Sequence, residues 1–156
     1  MRLRLAAYIA SEDWRKKYDK VWPFREGFAG VKLDDKWGHI NQKGEVVVPL
    51  MYDYVWNFYE GLAWVRLNDK YGFVNTEGKE AISLIYDEAG NFSKGLAPVK
   101  LNGKYGFVNL EGKVVIPLQY DGVNSFDEKG LARVELNGGY TFIDQQGKLV
   151  ASFQKI

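Results

Sequence analysis

The segment YDEAGNFSKGLAPVKLNGKYGFVNLEGKVVIPLQ, residues 86–119, reads as one complete β unit. Gly95 follows Phe92 across a short turn, and apolar residues then alternate from Leu96 to Leu101, with Ala97, Val99 and Leu101 on one face. Period-two patterning of this kind marks a half-buried strand. Asn102-Gly103 is a two-residue hairpin signal, because both central positions of such a turn need a positive φ. Lys104 to Asn109 is the partner strand, with Tyr105 and Phe107 on one face and Gly106 between them. Glu111-Gly112 makes a second turn and Lys113 to Ile116 a third strand. Pro117 is predicted to end regular pairing or to mark a sheet edge, since it has no N–H to donate.

The unit recurs. The same frame covers YDKVWPFREGFAGVKLDDKWGHINQKGEVVVPLM from Tyr18 and YDYVWNFYEGLAWVRLNDKYGFVNTEGKEAISLI from Tyr52 without a gap, and the Tyr-Asp pairs are spaced by 34 residues. A fourth copy starts at Tyr120 and carries one extra residue between Phe126 and Gly130. The organisation is therefore a repeat domain over 18–156, with units 18–51, 52–85, 86–119 and 120–154, preceded by residues 1–17 as an N-terminal cap or extra strand. A unit this small cannot bury its own apolar face, so neighbouring units must complete the core. The aromatic slots Trp37, Tyr71, Tyr105, Tyr140 and Phe24, Phe58, Phe92, Phe126 are expected to supply that packing. Gly38, Gly72 and Gly106 lie inside strands and predict a tight bend or a close backbone approach. Thr141 stands in their place in the fourth copy, and Ala151-Ser152-Phe153 replaces Ile116-Pro117-Leu118. Both departures predict a relaxed terminal repeat.

Composition removes several function classes. There is no cysteine among the 156 residues, so disulfides, thiolate metal sites and cysteine nucleophiles are excluded. Twenty-one basic residues nearly cancel 20 acidic ones, which gives no bulk attraction to nucleic acid or to an anionic membrane. No apolar run approaches the roughly 20 residues that cross a bilayer. The apolar stretch Leu5 to Ala10 is short for a signal peptide, so a cytoplasmic location is expected.

The recurring pattern is Tyr-Asp, Phe-x-x-Gly-Leu-Ala-x-Val, Lys-Trp/Tyr-Gly-Phe-Val/Ile-Asn and Gly-Lys-x-Val-Ile-Pro. It closely resembles the bacterial WG-repeat family, also called KWG repeats. The signature stands here as Lys36-Trp37-Gly38, Lys70-Tyr71-Gly72 and Lys104-Tyr105-Gly106, and the last copy departs with Gly139-Tyr140-Thr141. The resemblance covers residues 18–154. It implies a non-catalytic array and carries over no catalytic residue. An all-β fold follows, with about three short antiparallel strands per 34-residue repeat. The short unit favours an open twisted array, because propeller blades usually have four strands and about 40 residues or more. The alternative is a compact propeller-like ring, which Arg2 to Ile9 would complete as a strand. Ser11-Glu12-Asp13-Trp14 fits the cap of one short helical turn.

The chain offers little chemistry. His39, the only histidine, occupies the slot of Phe73, Phe107 and Phe142, and is read as a packing residue without catalytic or metal partners. The aspartates of Tyr18-Asp19, Tyr52-Asp53, Tyr86-Asp87 and Tyr120-Asp121 are read as turn residues accepting backbone N–H groups, since single carboxylates this far apart do not make a calcium site. No catalytic residue, cofactor or metal is expected.

The stronger signal lies where the copies disagree. Tyr54 aligns with Lys20, Glu88 and Gly122; Trp56 with Trp22, Gly90 and Asn124; Tyr59 with Arg25 and Ser93; Trp64 with Gly30, Pro98 and Arg133. The architecture does not demand aromatics at these slots. Trp22, Tyr54, Trp56, Tyr59 and Trp64 therefore form the candidate binding patch. The competing expectation is that they pack against residues 1–17 through Tyr8 and Trp14. The leading function is a protein-binding repeat module. Carbohydrate or cell-wall ligand binding is the first alternative and a structural spacer the second, with no role in nucleic-acid or membrane binding.

Overall fold

The computed structural model describes residues 14–156. It contains four antiparallel four-stranded meanders and one short 3-10 turn, Trp14–Lys17. The first sheet is β1 (Lys20–Val21), β2 (Phe28–Leu33), β3 (Lys36–Asn41) and β4 (Val46–Tyr52). The second is β5 (Tyr54–Val55), β6 (Leu62–Leu67), β7 (Lys70–Asn75) and β8 (Glu80–Tyr86). The third is β9 (Glu88–Ala89), β10 (Leu96–Leu101), β11 (Lys104–Asn109) and β12 (Val114–Tyr120). The fourth is β13 (Gly122–Val123), β14 (Ala132–Leu136), β15 (Gly139–Ile143) and β16 (Gln154–Lys155). The fourth strand of each sheet, beyond the three read from sequence, is the two-residue strand that follows each Tyr-Asp pair. Arg2 to Ile9 and the capping residues Ser11 to Asp13 lie outside the described residues. Among those described, no helix is long and apolar enough to cross a membrane.

Local chemistry sets each meander. The hairpins between the two long central strands turn on Asp34-Asp35, Asn68-Asp69, Asn102-Gly103 and Asn137-Gly138, all with positive φ. Asn, Asp and Gly tolerate that conformation best. The next turn is held by a side chain: Asn75 Oδ1 accepts from the N–H groups of Glu77 and Lys79, and Asn41, Asn109 and Asp144 do the same in their copies.

The third long strand runs to the tyrosine of the next Tyr-Asp pair, so pairing does not end at Pro117. That strand pairs on one side only, and Pro49 and Pro117 sit on this sheet edge, where a missing N–H costs no ladder bond. Its register shifts opposite Gly72, where a Cβ would lie 2.5 Å from the Ile82 carbonyl oxygen. Gly38 and Gly106 press equally closely on the Val48 and Ile116 carbonyls. In the fourth sheet β16 is cut to two residues that pair with Gly139 and Tyr140, and the chain before it meets β15 through a Leu149–Ile143 bridge and a Val150 N–H donated to the Phe142 carbonyl. Thr141 is buried there, its hydroxyl donating to the Ala151 carbonyl at 2.9 Å. The relaxed terminal repeat is thus a change in how the last strand docks.

The sheets stack face to face. Between the second and third, Leu62, Phe73, Ile82 and Tyr86 meet Phe92, Ala97, Val99 and Val108. Leu96, Phe107, Ile116 and Tyr120 meet Phe126, Ala132, Val134 and Ile143 at the next seam. One aromatic pair recurs at every seam: His39–Phe58 at 4.7 Å, Phe73–Phe92 at 4.9 Å and Phe107–Phe126 at 4.9 Å between ring centroids, and the first seam adds Phe28–Phe58 at 4.8 Å. Phe58, Phe92 and Phe126 lie inside these seams and Trp37 is buried with the first, whereas Phe24 is half-buried against Trp14 and Tyr71, Tyr105 and Tyr140 are half-buried at the edge of the stack. Among the described residues, the substantial contacts between sheets all join sequence neighbours, so the array is open and forms no closed barrel.

Candidate functional site

Two slots that look unrelated in sequence prove to be cross-strand neighbours. Trp22 N–H donates to the Gly30 carbonyl, Trp56 to Trp64, Gly90 to Pro98 and Asn124 to Arg133, at 2.9 to 3.0 Å. The occupants compensate in size. Trp22 lies over Gly30, where a Cβ would meet its ring at 3.2 Å, and Pro98 lies over Gly90. The second repeat places tryptophan in both slots.

Four of the five candidate residues come together. Trp22 meets Trp37 at 4.6 Å, Trp56 at 5.2 Å and Tyr54 at 5.6 Å between centroids. Trp56 and Trp64 are nearly parallel, 8° apart with centroids at 5.8 Å, and Tyr54 lies within 23° of both planes. Trp64 continues the row to Tyr71 at 5.3 Å. All four are half-buried. Tyr59 stands apart: its described partner is the Arg25 guanidinium, 3.9 Å from the ring centroid. Sequence comparison missed Arg25, Trp37 and Tyr71 because the first aligns with other residue types and the other two fill slots aromatic in every copy.

A groove of about 490 Å³ borders the cluster, lined by Trp22, Pro23, Phe24, Arg25, Tyr54, Trp56 and Asn57. Its walls are aromatic and its one charged lining residue is Arg25, which has no carboxylate partner among the described residues. Trp14 does not cover this cluster. Its ring contacts are Tyr18 at 6.5 Å and Phe24 at 6.3 Å. Tyr8 lies outside the described residues. A second groove follows along the same edge, lined by Trp64, Tyr71, Glu88, Gly90, Pro98 and Tyr105 among others. Burial and the Glu88 carboxylate, which accepts from the Tyr105 hydroxyl, push that phenol up to about 12.

His39 and the Tyr-Asp aspartates serve the architecture. His39 is buried, and burial lowers its pKa to about 4, so the ring is neutral at neutral pH. Its Nε2–H donates to the Trp56 carbonyl at 2.6 Å, since a carbonyl can only accept, and Nδ1 is left without a partner. Each Tyr-Asp aspartate accepts the first N–H of its hairpin turn, as in Asp53 from Asn68 at 3.0 Å. Asp53, Asp87 and Asp121 also accept from Lys36, Lys70 and Lys104 of the preceding repeat. Those lysine hydrogen bonds, then the backbone N–H, hold the three carboxyls below their usual range. Among the described residues no group of three His, Asp or Glu side chains is placed to hold a metal ion.

Four consecutive stretches, residues 16–37, 37–71, 71–105 and 105–140, match the model of the WG containing repeat. The chain belongs to the WG containing repeat family. Each complete WG unit in that phasing begins on the signature aromatic, Trp37, Tyr71 or Tyr105. Among solved structures, the extracellular domain of a putative hybrid two-component system of B. thetaiotaomicron is 18% identical over 88% of this chain and 22% of its own, with a TM-score of 0.49. That of a putative one component system of the same organism is 13% identical over 89% and 24%, at 0.47. A plant lectin with two metal binding sites from Cicer arietinum is 10% identical over 86% and 91%, at 0.36. The chain spans about a quarter of the length of the first two. A comparison with curated proteins gives no match. The chain is an all-β tandem-repeat module of the WG type, with His39 packed at a seam and the Tyr-Asp aspartates engaged in turns.

Proposed function

We propose that the module binds a protein partner through the aromatic groove at the edge of its first two sheets. One observation carries this: aromatic residues at slots filled elsewhere by Gly, Pro, Asn, Glu or Arg gather into one half-buried row beside a groove. Tryptophan, tyrosine and arginine dominate binding hot spots because each offers a large apolar surface with a polar tip. Trp56 is the best probe, because it belongs to none of the seam clusters and Asn124 fills the same slot in the fourth repeat. Peptides selected from a random display library on the whole chain should bind at least about tenfold more weakly to Trp56→Asn, the loss of one hot-spot contact. Selected peptides indifferent to Trp56→Asn and Trp22→Ala would place the site elsewhere.

Carbohydrate binding is the second reading, favoured by the near-parallel planes of Trp56 and Trp64. Sugar faces stack on such planes. Tryptophan fluorescence quenched by an oligosaccharide on a glycan array, and not by selected peptides, would favour it over the first.

A further inference from the structure

A carboxylate ladder runs along the turns that follow the Phe slot. Glu26 places Oε2 on the Glu60 N–H at 2.9 Å and Oε1 on the Gly61 N–H at 3.0 Å. One repeat later, Glu60 places Oε2 on the Lys94 N–H at 3.0 Å and Oε1 on the Gly95 N–H at 2.8 Å. Each turn has two successive positive φ angles, 53° and 81° at Glu60-Gly61, 56° and 77° at Lys94-Gly95. That conformation aims neighbouring N–H groups to one side as an anion cradle. Two bonds to one carboxylate are charge-assisted and directional.

The ladder has a direction and an open end. Glu26-Gly27 is the same turn, with φ 51° and 87° and the same closing bonds between Arg25 and Phe28. Among the described residues no carboxylate reaches it, and nothing accepts from the Glu26 and Gly27 N–H groups. A Cβ built on Gly27 meets nothing within 4 Å. The adjoining Arg25 lacks a carboxylate partner, as above. At the other end Lys94 takes the glutamate slot, and its carbonyl accepts from Gln145 Nε2.

We propose that the Glu26-Gly27 turn is a binding site for the carboxylate of an acidic side chain, held by both backbone N–H groups as Glu60-Gly61 and Lys94-Gly95 hold theirs. The carboxylate comes from a protein partner. One such contact is weak by itself, and on a partner already docked in the neighbouring groove it becomes an intramolecular event. The site stands on the ladder and holds whether or not the aromatic groove binds a protein.

The test follows amide resonances of the whole ¹⁵N-labelled chain on titration with acetyl-Gly-Glu-Gly-amide, against acetyl-Gly-Gln-Gly-amide at matched ionic strength. The Glu26 and Gly27 amides should shift saturably with the glutamate peptide, at an affinity at least about tenfold above the glutamine peptide. The Gly61 and Gly95 amides should stay still, their carboxylates being in place. In Glu26→Ala the Gly61 amide should move on substitution and respond to the peptide, since a second cradle is opened. Equal response to both peptides, or no response at Gly27 in any arm together with a silent Gly61 in Glu26→Ala, overturns the proposal.

Discussion

Phe73 against Phe92 and Trp56 beside Trp64 are both aromatic pairs, and they obey different rules. The first belongs to a seam between sheets. It recurs as His39–Phe58 and Phe107–Phe126, with Phe58, Phe92 and Phe107 almost fully buried. The second lies at the edge of one sheet and has no equivalent in the third or fourth repeat, where Gly90-Pro98 and Asn124-Arg133 fill the slots. The seam must repeat because every sheet needs the next to cover its apolar face. The edge is free to vary because the fold closes without it. In the fourth sheet the seam position itself is open: Phe142, aligned with Phe107, is 38% exposed.

The comparison can be broken most forcefully at the seam. Phe107→Ala removes a fully buried ring and should cost about 3–5 kcal/mol, read as a shifted denaturation midpoint. A loss below about 1 kcal/mol would show that the seam does not carry the stack.

The first seam should differ from the others in acid. The folded-state pKa of His39 is lowered to about 4 from 6.5, so its neutral form stabilises the fold fully above about pH 6.5. That contribution is lost as pH falls toward 4, by roughly 3 kcal/mol in all. His39→Phe, the residue type of the other seams, should flatten the stability profile over this window. An unchanged profile would mean that the ring charges without cost. Asp53, Asp87 and Asp121, held below their usual range, lose their share at lower pH still.

At the edge, effects should shrink. Trp56→Asn gives up ring contacts to Trp22, Tyr54 and Trp64 and should cost about 0.5–1.5 kcal/mol. Lys70→Met breaks the exposed bridge to Asp87, 2.7 Å, and should change stability by under about 1 kcal/mol, vanishing at high salt.

The fold was legible because its causes are local. Turn glycines and asparagines, strand alternation and the 34-residue period each appear in the letters. Gly38, Gly72 and Gly106 announced a close approach, and its partner is the bulged third strand. The short strand after each Tyr-Asp pair was harder to read, as two residues carry no periodicity. The strand's continuation through Pro117 was hidden because a proline is harmless where only one side pairs. At the site, four aromatics of the patch could be picked out by disagreement between copies. Tyr59 obeys the same rule in sequence, yet it packs under Arg25 and away from the other four. The pairing of the Trp22 and Gly30 slots was invisible in sequence, since it depends on how the short first strand lies against the second. The carboxylate ladder was hidden likewise, for Glu26 and Glu60 look like ordinary turn residues until the sheets are stacked.

The separation of seam from edge is tested most directly by measuring denaturation midpoint and affinity for display-selected peptides on Trp56→Asn and Phe107→Ala together. The account predicts that Trp56→Asn keeps a near-native midpoint and loses about tenfold or more in affinity. Phe107→Ala should lose stability heavily while its remaining folded fraction binds as the parent does. A Trp56→Asn chain that binds normally, or that unfolds as readily as Phe107→Ala, would contradict it.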